Sequence, residues 1–177
     1  MTLSLAMDYK IEPATAADVP VLNKLVNSAY RGESSRKGWA TEADLIDGTR
    51  IDEAAMLDLI NDSNTTVLKY VENNEILGCV ELRTEGDSLY LGMLTVKPDL
   101  QAKGIGKILM FSGEAFGREK SCKKVRMTVV SVRDKLIAWY ERHGYSLTGE
   151  RKPFKMPDER FGIPRQPLEF VVMEKQL

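Results

Sequence analysis

In Leu94-Thr95-Val96-Lys97-Pro98-Asp99-Leu100-Gln101-Ala102-Lys103-Gly104-Ile105-Gly106-Lys107 a strand pattern stops at Pro98, a glycine-containing turn follows, and a helix pattern begins. The first N–H groups of a helix have no partner inside it, and the aligned peptide dipoles add partial positive charge at that end. Such a terminus accepts phosphate, and Gly104 and Gly106 lack the Cβ that would keep an anion away from the backbone. Lys103 and Lys107 add charge at the rim. Two phosphate-binding loops are excluded by spacing. A nucleoside-triphosphate loop needs Ser or Thr after its Lys, and Lys107 is followed by Ile108. A dinucleotide fingerprint needs a third glycine where Leu109 stands.

Outward from this turn the chain reads as one domain, residues 1–177, without repeats or linkers. Upstream lie three strand patterns, Thr66 to Glu72, Glu75 to Arg83 and Ser88 to Val96, separated by Asn73-Asn74 and Glu85-Gly86-Asp87. Tight turns between consecutive strands predict an antiparallel meander. Before them, Tyr9 to Pro13 is a short strand. Thr15 with Asp18 forms a near capping box for a helix reaching Tyr30, and Asp52 to Asp62 is a second helix. Arg31 to Ile51 reads as a long polar loop with a helical turn near Thr41 to Leu45.

Downstream, Gly104 to Lys120 predicts a helix whose inner face is Ile105, Ile108, Leu109, Ser112, Ala115 and Phe116. Val125 to Val130 is an almost continuous β-branched run, which suits a strand covered on both faces. Asp134 to His143 is a helix closed by Gly144, and Tyr145 to Gly149 and Leu168 to Glu174 are the last strands. Between those strands, Arg151 to Pro167 is a proline-rich irregular loop. The expected fold is α/β (α+β): a mixed, mostly antiparallel sheet of about seven strands with helices on both faces. Ser88 to Val130 forms a parallel crossover within it.

Composition narrows the function. The chain has 25 basic and 26 acidic residues, so the basic excess of a nucleic-acid binder is missing. A single histidine, His143, and two cysteines at Cys79 and Cys122 do not make a metal site of ordinary composition. The same lone His143 falls at a helix end, where a helix-terminal cation is a better reading than a catalytic base. Met1 to Met7 is too short and too weakly apolar for a secretory signal, and no run approaches the ~18 apolar residues of a membrane span. The expectation is a cytoplasmic protein with two reduced thiols.

Gln101-Ala102-Lys103-Gly104-Ile105-Gly106 resembles the acyl-CoA-binding signature of the GNAT superfamily of N-acetyltransferases. Ile137-Ala138-Trp139-Tyr140-Glu141-Arg142-His143-Gly144-Tyr145 looks like that family's closing helix, and the order of elements agrees from Tyr9 to Glu174. The resemblance implies that the strand ending at Val96 splays from the strand ending at Val130. A pantetheine arm would lie in the gap and pair with backbone groups of Leu94 and Val96, the diphosphate would lie on the turn from Ala102 to Lys107, and Thr95 and Gln101 are counted with them as cofactor-binding residues. One departure stands out. Many members carry Asn before the closing helix, whereas this chain reads Ser131-Val132-Arg133-Asp134, which places Arg133 there.

The same resemblance implies acetyl-CoA as co-substrate, an amine acceptor, and direct attack of that amine on the thioester. Tyr140 matches the family's tyrosine acid, and a backbone N–H near Leu94 is the expected oxyanion donor. Glu81, on the neighbouring strand, is a candidate base. A proton relayed through solvent, with Tyr90 supporting a water chain, stays open beside it. The family's acceptor pocket is lined by the loop after the first helix. Tyr30, Glu33 and Trp39 are therefore candidate substrate contacts, with Glu42 and Asp44 able to receive a cationic amine. Phe154, Lys155, Arg160 and Phe161 are available from the later loop. A non-catalytic acyl-CoA-binding module, an interaction subunit of a larger complex and a homodimer are left open.

Overall fold

The computed structural model describes residues 8–156 and 158–177. The Met1 to Met7 segment read above lies outside them. Strand β1 (Tyr9–Pro13) leads to helix α1 (Val19–Tyr30), and a single turn α2 (Gly32–Ser35) and a short β2 (Ile46–Asp47) precede α3 (Glu53–Asn61). The meander is β3 (Thr65–Glu72), β4 (Glu75–Glu85) and β5 (Ser88–Val96). Then come α4 (Ile105–Glu119), β6 (Lys124–Val130), α5 (Asp134–Arg142), β7 (Ser146–Pro153), β8 (Ile163–Pro164) and β9 (Glu169–Gln176).

Seven strands form one sheet in the order β1-β3-β4-β5-β6-β9-β7. Only β5 and β6 run parallel; the other neighbours are antiparallel. That parallel pair is short. Ser88, Leu89 and Tyr90 pair with Lys124, Val125 and Arg126, and beyond Tyr90 the two strands no longer pair. β6 instead continues along its other edge with β9, from Lys124 opposite Gln176 to Val130 opposite Phe170. The sheet is therefore closed at one end and open at the other, where Leu94, Val96 and Val130 face a gap.

Period-2 alternation divides the core between the two faces. Val67, Cys79 and Met93 point to the side covered by α1 and α3, with Leu22, Val26 and Met56. Leu68, Val80, Leu82, Leu89 and Leu91 point to the side covered by α4 and α5, with Leu109, Met110 and Tyr140.

Two details depart from the sequence reading. The buried face of α4 is Ile105, Leu109, Met110, Gly113, Glu114 and Gly117, while Ala115 is exposed and Ile108, Ser112 and Phe116 are half-buried. Glycines are silent in an apolar count, yet they set this face. A Cβ on Gly113 would lie 3.0 Å from Leu82 and 3.2 Å from Leu91, so the helix backbone rides close to the sheet. Glu114 is accommodated there by an ion pair with Lys175 of β9. The polar loop also differs. It carries a helical turn at α2 besides the expected one, where the Leu45 and Ile46 N–H groups donate to the Glu42 carbonyl ahead of β2. β2 pairs with β8 of the proline-rich loop, so two segments distant in sequence are stitched into one wall beside the gap.

Candidate active site

The gap begins with a bulge. Glu81 pairs with Gly92 but Cys79 pairs with Thr95, so β5 carries one extra residue around Met93 and Leu94. Met93 has φ +50°, a left-handed conformation that costs a non-glycine residue roughly 1–2 kcal/mol and is kept where surrounding structure enforces it. The bulge turns the Leu94 carbonyl to the Tyr30 hydroxyl, which donates to it from the end of α1. Leu94 and Val96 then face the gap. Thr95 does not: it is 1% exposed on the opposite face, and its hydroxyl donates to the Met93 carbonyl at 2.9 Å. Only the backbone of Thr95 remains available to a ligand.

At the open end of β5 the turn into α4 follows. Gly104, just before the helix, has φ +92°, which a glycine adopts without strain. The first helix-type bond runs from the Ile108 N–H to the Gly104 carbonyl, so the N–H groups of Ile105, Gly106 and Lys107 have no partner in the helix. A Cβ on Gly106 would meet no protein atom closer than 3.5 Å, so the fold leaves room there that it does not itself use. Ala102, Gly104, Gly106 and Lys107 line the gap, while Ile105 is packed into the core and Lys103 is exposed outside the lining.

Gln101 does something its motif reading did not anticipate. Its Nε2 donates to the Val96 carbonyl at 3.0 Å and its Oε1 accepts from the Ala40 N–H at 3.0 Å. Both ends of the amide are engaged within the protein. Arg133 grips the same residue from the other wall: Nη2 donates to the Ala40 carbonyl at 2.6 Å, and Nη1 lies 3.5 Å from Glu42. Ala40 is thus held between the end of β5 and the start of α5. Gln101 Nε2 keeps a second N–H and Arg133 keeps further guanidinium N–H groups beyond these bonds, and both residues line the gap.

Two cavities open from the gap. One, of about 190 Å³, is lined by Trp39, Ala40, Val96, Gly104, Gly106, Lys107, Trp139 and His143, among others. The second, of about 260 Å³, lies on the far side, against Tyr90, Met127, Val129, Phe154 and Phe170. Tyr30, Leu94, Arg133, Leu136 and Tyr140 line both. The cavities therefore meet at the bulge, under the Tyr140 ring. Tyr140 packs edge-on to Trp139 at 5.1 Å and to Tyr145 at 5.7 Å between ring centroids. Burial holds its phenol well above the usual value, with no hydrogen bond to offset the loss of water. Burial likewise raises Tyr30 to about 12.

Several expected contacts lie elsewhere. Glu33 points to solvent and pairs with Arg36 at 3.0 Å, and Asp44 pairs with the same arginine at 2.8 Å. Neither lines the second cavity. Glu42 does, but it is shared between Arg31 at 3.3 Å and Arg133 at 3.5 Å and is not free to receive a cationic amine. Trp39 stands on the first cavity, 6.1 Å from Trp139, and does not line the second. Glu81 is 7% exposed and held by Arg83 at 3.1 Å. Burial raises its carboxyl above the ordinary range, with Arg83 and Arg50 opposing, but it lines neither cavity. Arg160 pairs with Asp52 and Asp158 outside the site. His143, read as a helix-end cation, caps α5 and lines the first cavity with its ring 4.5 Å from that of Trp139. Arg50 was not singled out by any motif, yet it lines the second cavity.

The family model described as "Acetyltransferase (GNAT) family" matches residues 24–145, more than half of the chain. No curated protein matches by sequence. Among solved structures, the ribosomal-protein-S18-alanine N-acetyltransferase from Escherichia coli superposes with a TM-score of 0.72 at 13% identity, over 96% of this chain and 94% of that one. The PaiA N-acetyltransferase from Thermoplasma acidophilum, in complex with coenzyme A, gives 0.69 at 18% identity, over 97% and 100%. YncA from Salmonella typhimurium, with its cofactor acetyl-CoA, gives 0.68 at 19% identity, over 96% and 94%. At these identities the likeness is one of fold. With the splayed β5 and β6, the bulge at Met93 and the glycine turn before α4 in place, the chain belongs to the GNAT acetyltransferase family.

Proposed function

We propose that this protein transfers the acetyl group of acetyl-CoA to a primary amine in a ternary complex, with Tyr140 as the proton donor. The observation that carries this reading is the meeting of two cavities at Leu94 and Tyr140. One has a helix N-terminus with free N–H groups, suited to a diphosphate. The other has no such feature and suits the acceptor. The residues present fit acetyl-CoA. The N–H groups of Ile105, Gly106 and Lys107 face the place for the diphosphate, the Leu94–Val96 edge suits the pantetheine, and Trp139 with Leu136 forms an apolar wall. The buried, free Cys79 and Cys122 suit a reducing compartment such as the cytoplasm.

In this scheme the neutral amine nitrogen attacks the thioester carbon. The carbon–sulfur bond breaks, giving an amide and free CoA; nitrogen releases one proton to solvent, and solvent returns one to Tyr140 after it has protonated sulfur. Backbone N–H at the bulge holds the developing oxyanion. The Tyr140 hydroxyl, kept protonated by burial, supplies the proton to sulfur.

A thiol-release assay with acetyl-CoA against a panel of primary amines tests this reading, and its pH profile tests the donor. An ammonium has no lone pair, so kcat/KM rises with pH as the acceptor deprotonates. The raised phenols of Tyr140 and of Tyr30, at about 12, stay protonated throughout, so the rise ends in a plateau with no falling limb below about pH 10. A fall between pH 7 and 9 would assign proton donation to a group other than these tyrosines.

A further inference from the structure

The second cavity has an unusual charge balance. Its lining contains four cations, Arg31, Arg50, Arg133 and Lys155, against one carboxylate, Glu42. Glu42 is divided between Arg31 and Arg133. Arg31 spends Nη1 on the carbonyls of Asp47, Gly48, Thr49 and Phe161, while its Nη2 is buried without a partner. Arg133 is held by the Ala40 carbonyl. Arg50 and Lys155 are different. Among the described residues neither has a carboxylate within ion-pair distance.

Arg50 is also well placed. Its backbone N–H donates to Asn27 Oδ1 at 2.7 Å, which ties it to α1. Its guanidinium lies 5.8 Å from the centre of the Tyr30 ring, and the hydroxyl of that ring donates to Leu94 at the bulge. One aromatic ring thus separates an unpaired guanidinium from the point where the cavities meet. Arg50 is half-buried beside the buried Arg31 Nη2, which has no partner among the described residues, and each costs free energy without a counter-charge or acceptor, while Lys155 stands exposed at the rim. An anion entering with the acceptor would relieve both.

We propose that the acceptor carries an anionic group close to its amine, received by Arg50 together with Lys155. The acceptor class is then a small amino acid or a similar amine bearing a carboxylate, rather than a polyamine. Phe154 and Phe170, stacked at 5.2 Å on the same wall, provide an apolar surface for its side chain. The charge balance also serves the chemistry. Cations facing the amine disfavour its ammonium form, so the nucleophile is delivered neutral without a carboxylate base in the cavity.

This inference rests on the transferase reading for its turnover arm only, because binding can be read without turnover. The probes are L-phenylalanine, L-phenylalaninamide, O-phosphoethanolamine and spermidine, titrated calorimetrically into the protein saturated with CoA and then assayed with acetyl-CoA. Phenylalanine is expected to bind at least about tenfold tighter than its amide, the strength of a charge-assisted pair, and spermidine more weakly than either. Tighter binding of O-phosphoethanolamine than of phenylalanine would assign the anion as phosphate. Arg50→Ala, and separately Lys155→Gln with its fold checked by melting, should collapse the acid-to-amide ratio toward one, and Arg50→Lys should restore part of it. Equal binding of acid and amide by the wild type, or preference for spermidine, overturns the proposal whatever the variants do. Preference in binding with no acetyl transfer to any amine would leave anion recognition standing and remove the transferase reading. Transfer to amines with no such preference would do the reverse.

Discussion

Tyr140→Phe lowers kcat by about 10²–10⁴-fold, the ordinary contribution of a positioned proton donor, while CoA affinity stays as in the wild type. The substitution is clean because the phenol gains no hydrogen bond that offsets its burial. Its ring contacts with Trp139 and Tyr145 survive in phenylalanine, so the melting temperature should hold or rise slightly. Turnover by steady-state thiol release and affinity by calorimetry separate the two quantities. This variant also distinguishes an enzyme from a module that only binds acyl-CoA. A module has no turnover to lose, whereas an enzyme protonating sulfur through solvent would lose little. A kcat within a few-fold of wild type would remove Tyr140 from the mechanism.

Gly106→Ala gives the second large effect, in the opposite quantity. Gly106 stands in the first turn of α4 without a positive φ, and a Cβ there touches only Val96 and Trp139 at ordinary distances. The fold therefore tolerates the methyl group, and alanine's helix propensity favours it. The ligand would not tolerate it. The Cβ occupies space at the N–H groups where the diphosphate is expected, and displacing an anion from charge-assisted bonds weakens CoA by on the order of 10- to 100-fold. Calorimetry should show that loss beside an unchanged or higher melting temperature. A loss of stability with unchanged affinity would mean that the glycine serves helix packing alone.

Local signals in the chain were enough for most of the fold. Asn73-Asn74 and Gly86 punctuate the meander, and Pro98 with Gly104 separates β5 from α4. Tyr140 and the glycine turn could be named because they sit in short contiguous patterns. What escaped depends on pairs distant in sequence. Glu42 looks like a free acid until Arg31 and Arg133 close on it from 11 and 91 positions away. Gln101 sits inside a ligand-binding motif, but its amide meets Ala40 from 61 positions away. Arg50 lies in a polar loop where many charges are solvated, and its bond to Asn27, 23 positions away, ties it beside the second cavity. The bulge gave no signal at all, because methionine has no preference for the left-handed backbone it adopts at Met93.

The central claim is that main-chain N–H groups opening α4 hold the diphosphate and so bring the thioester beneath Tyr140. It is tested most directly by calorimetric titration of the protein with CoA and, in parallel, with pantetheine, which has the same thiol arm but no diphosphate. CoA is expected to bind, and pantetheine to bind about 100-fold or more weakly, as loss of several charge-assisted bonds requires. Comparable affinities for the two, or no heat with CoA, would contradict it.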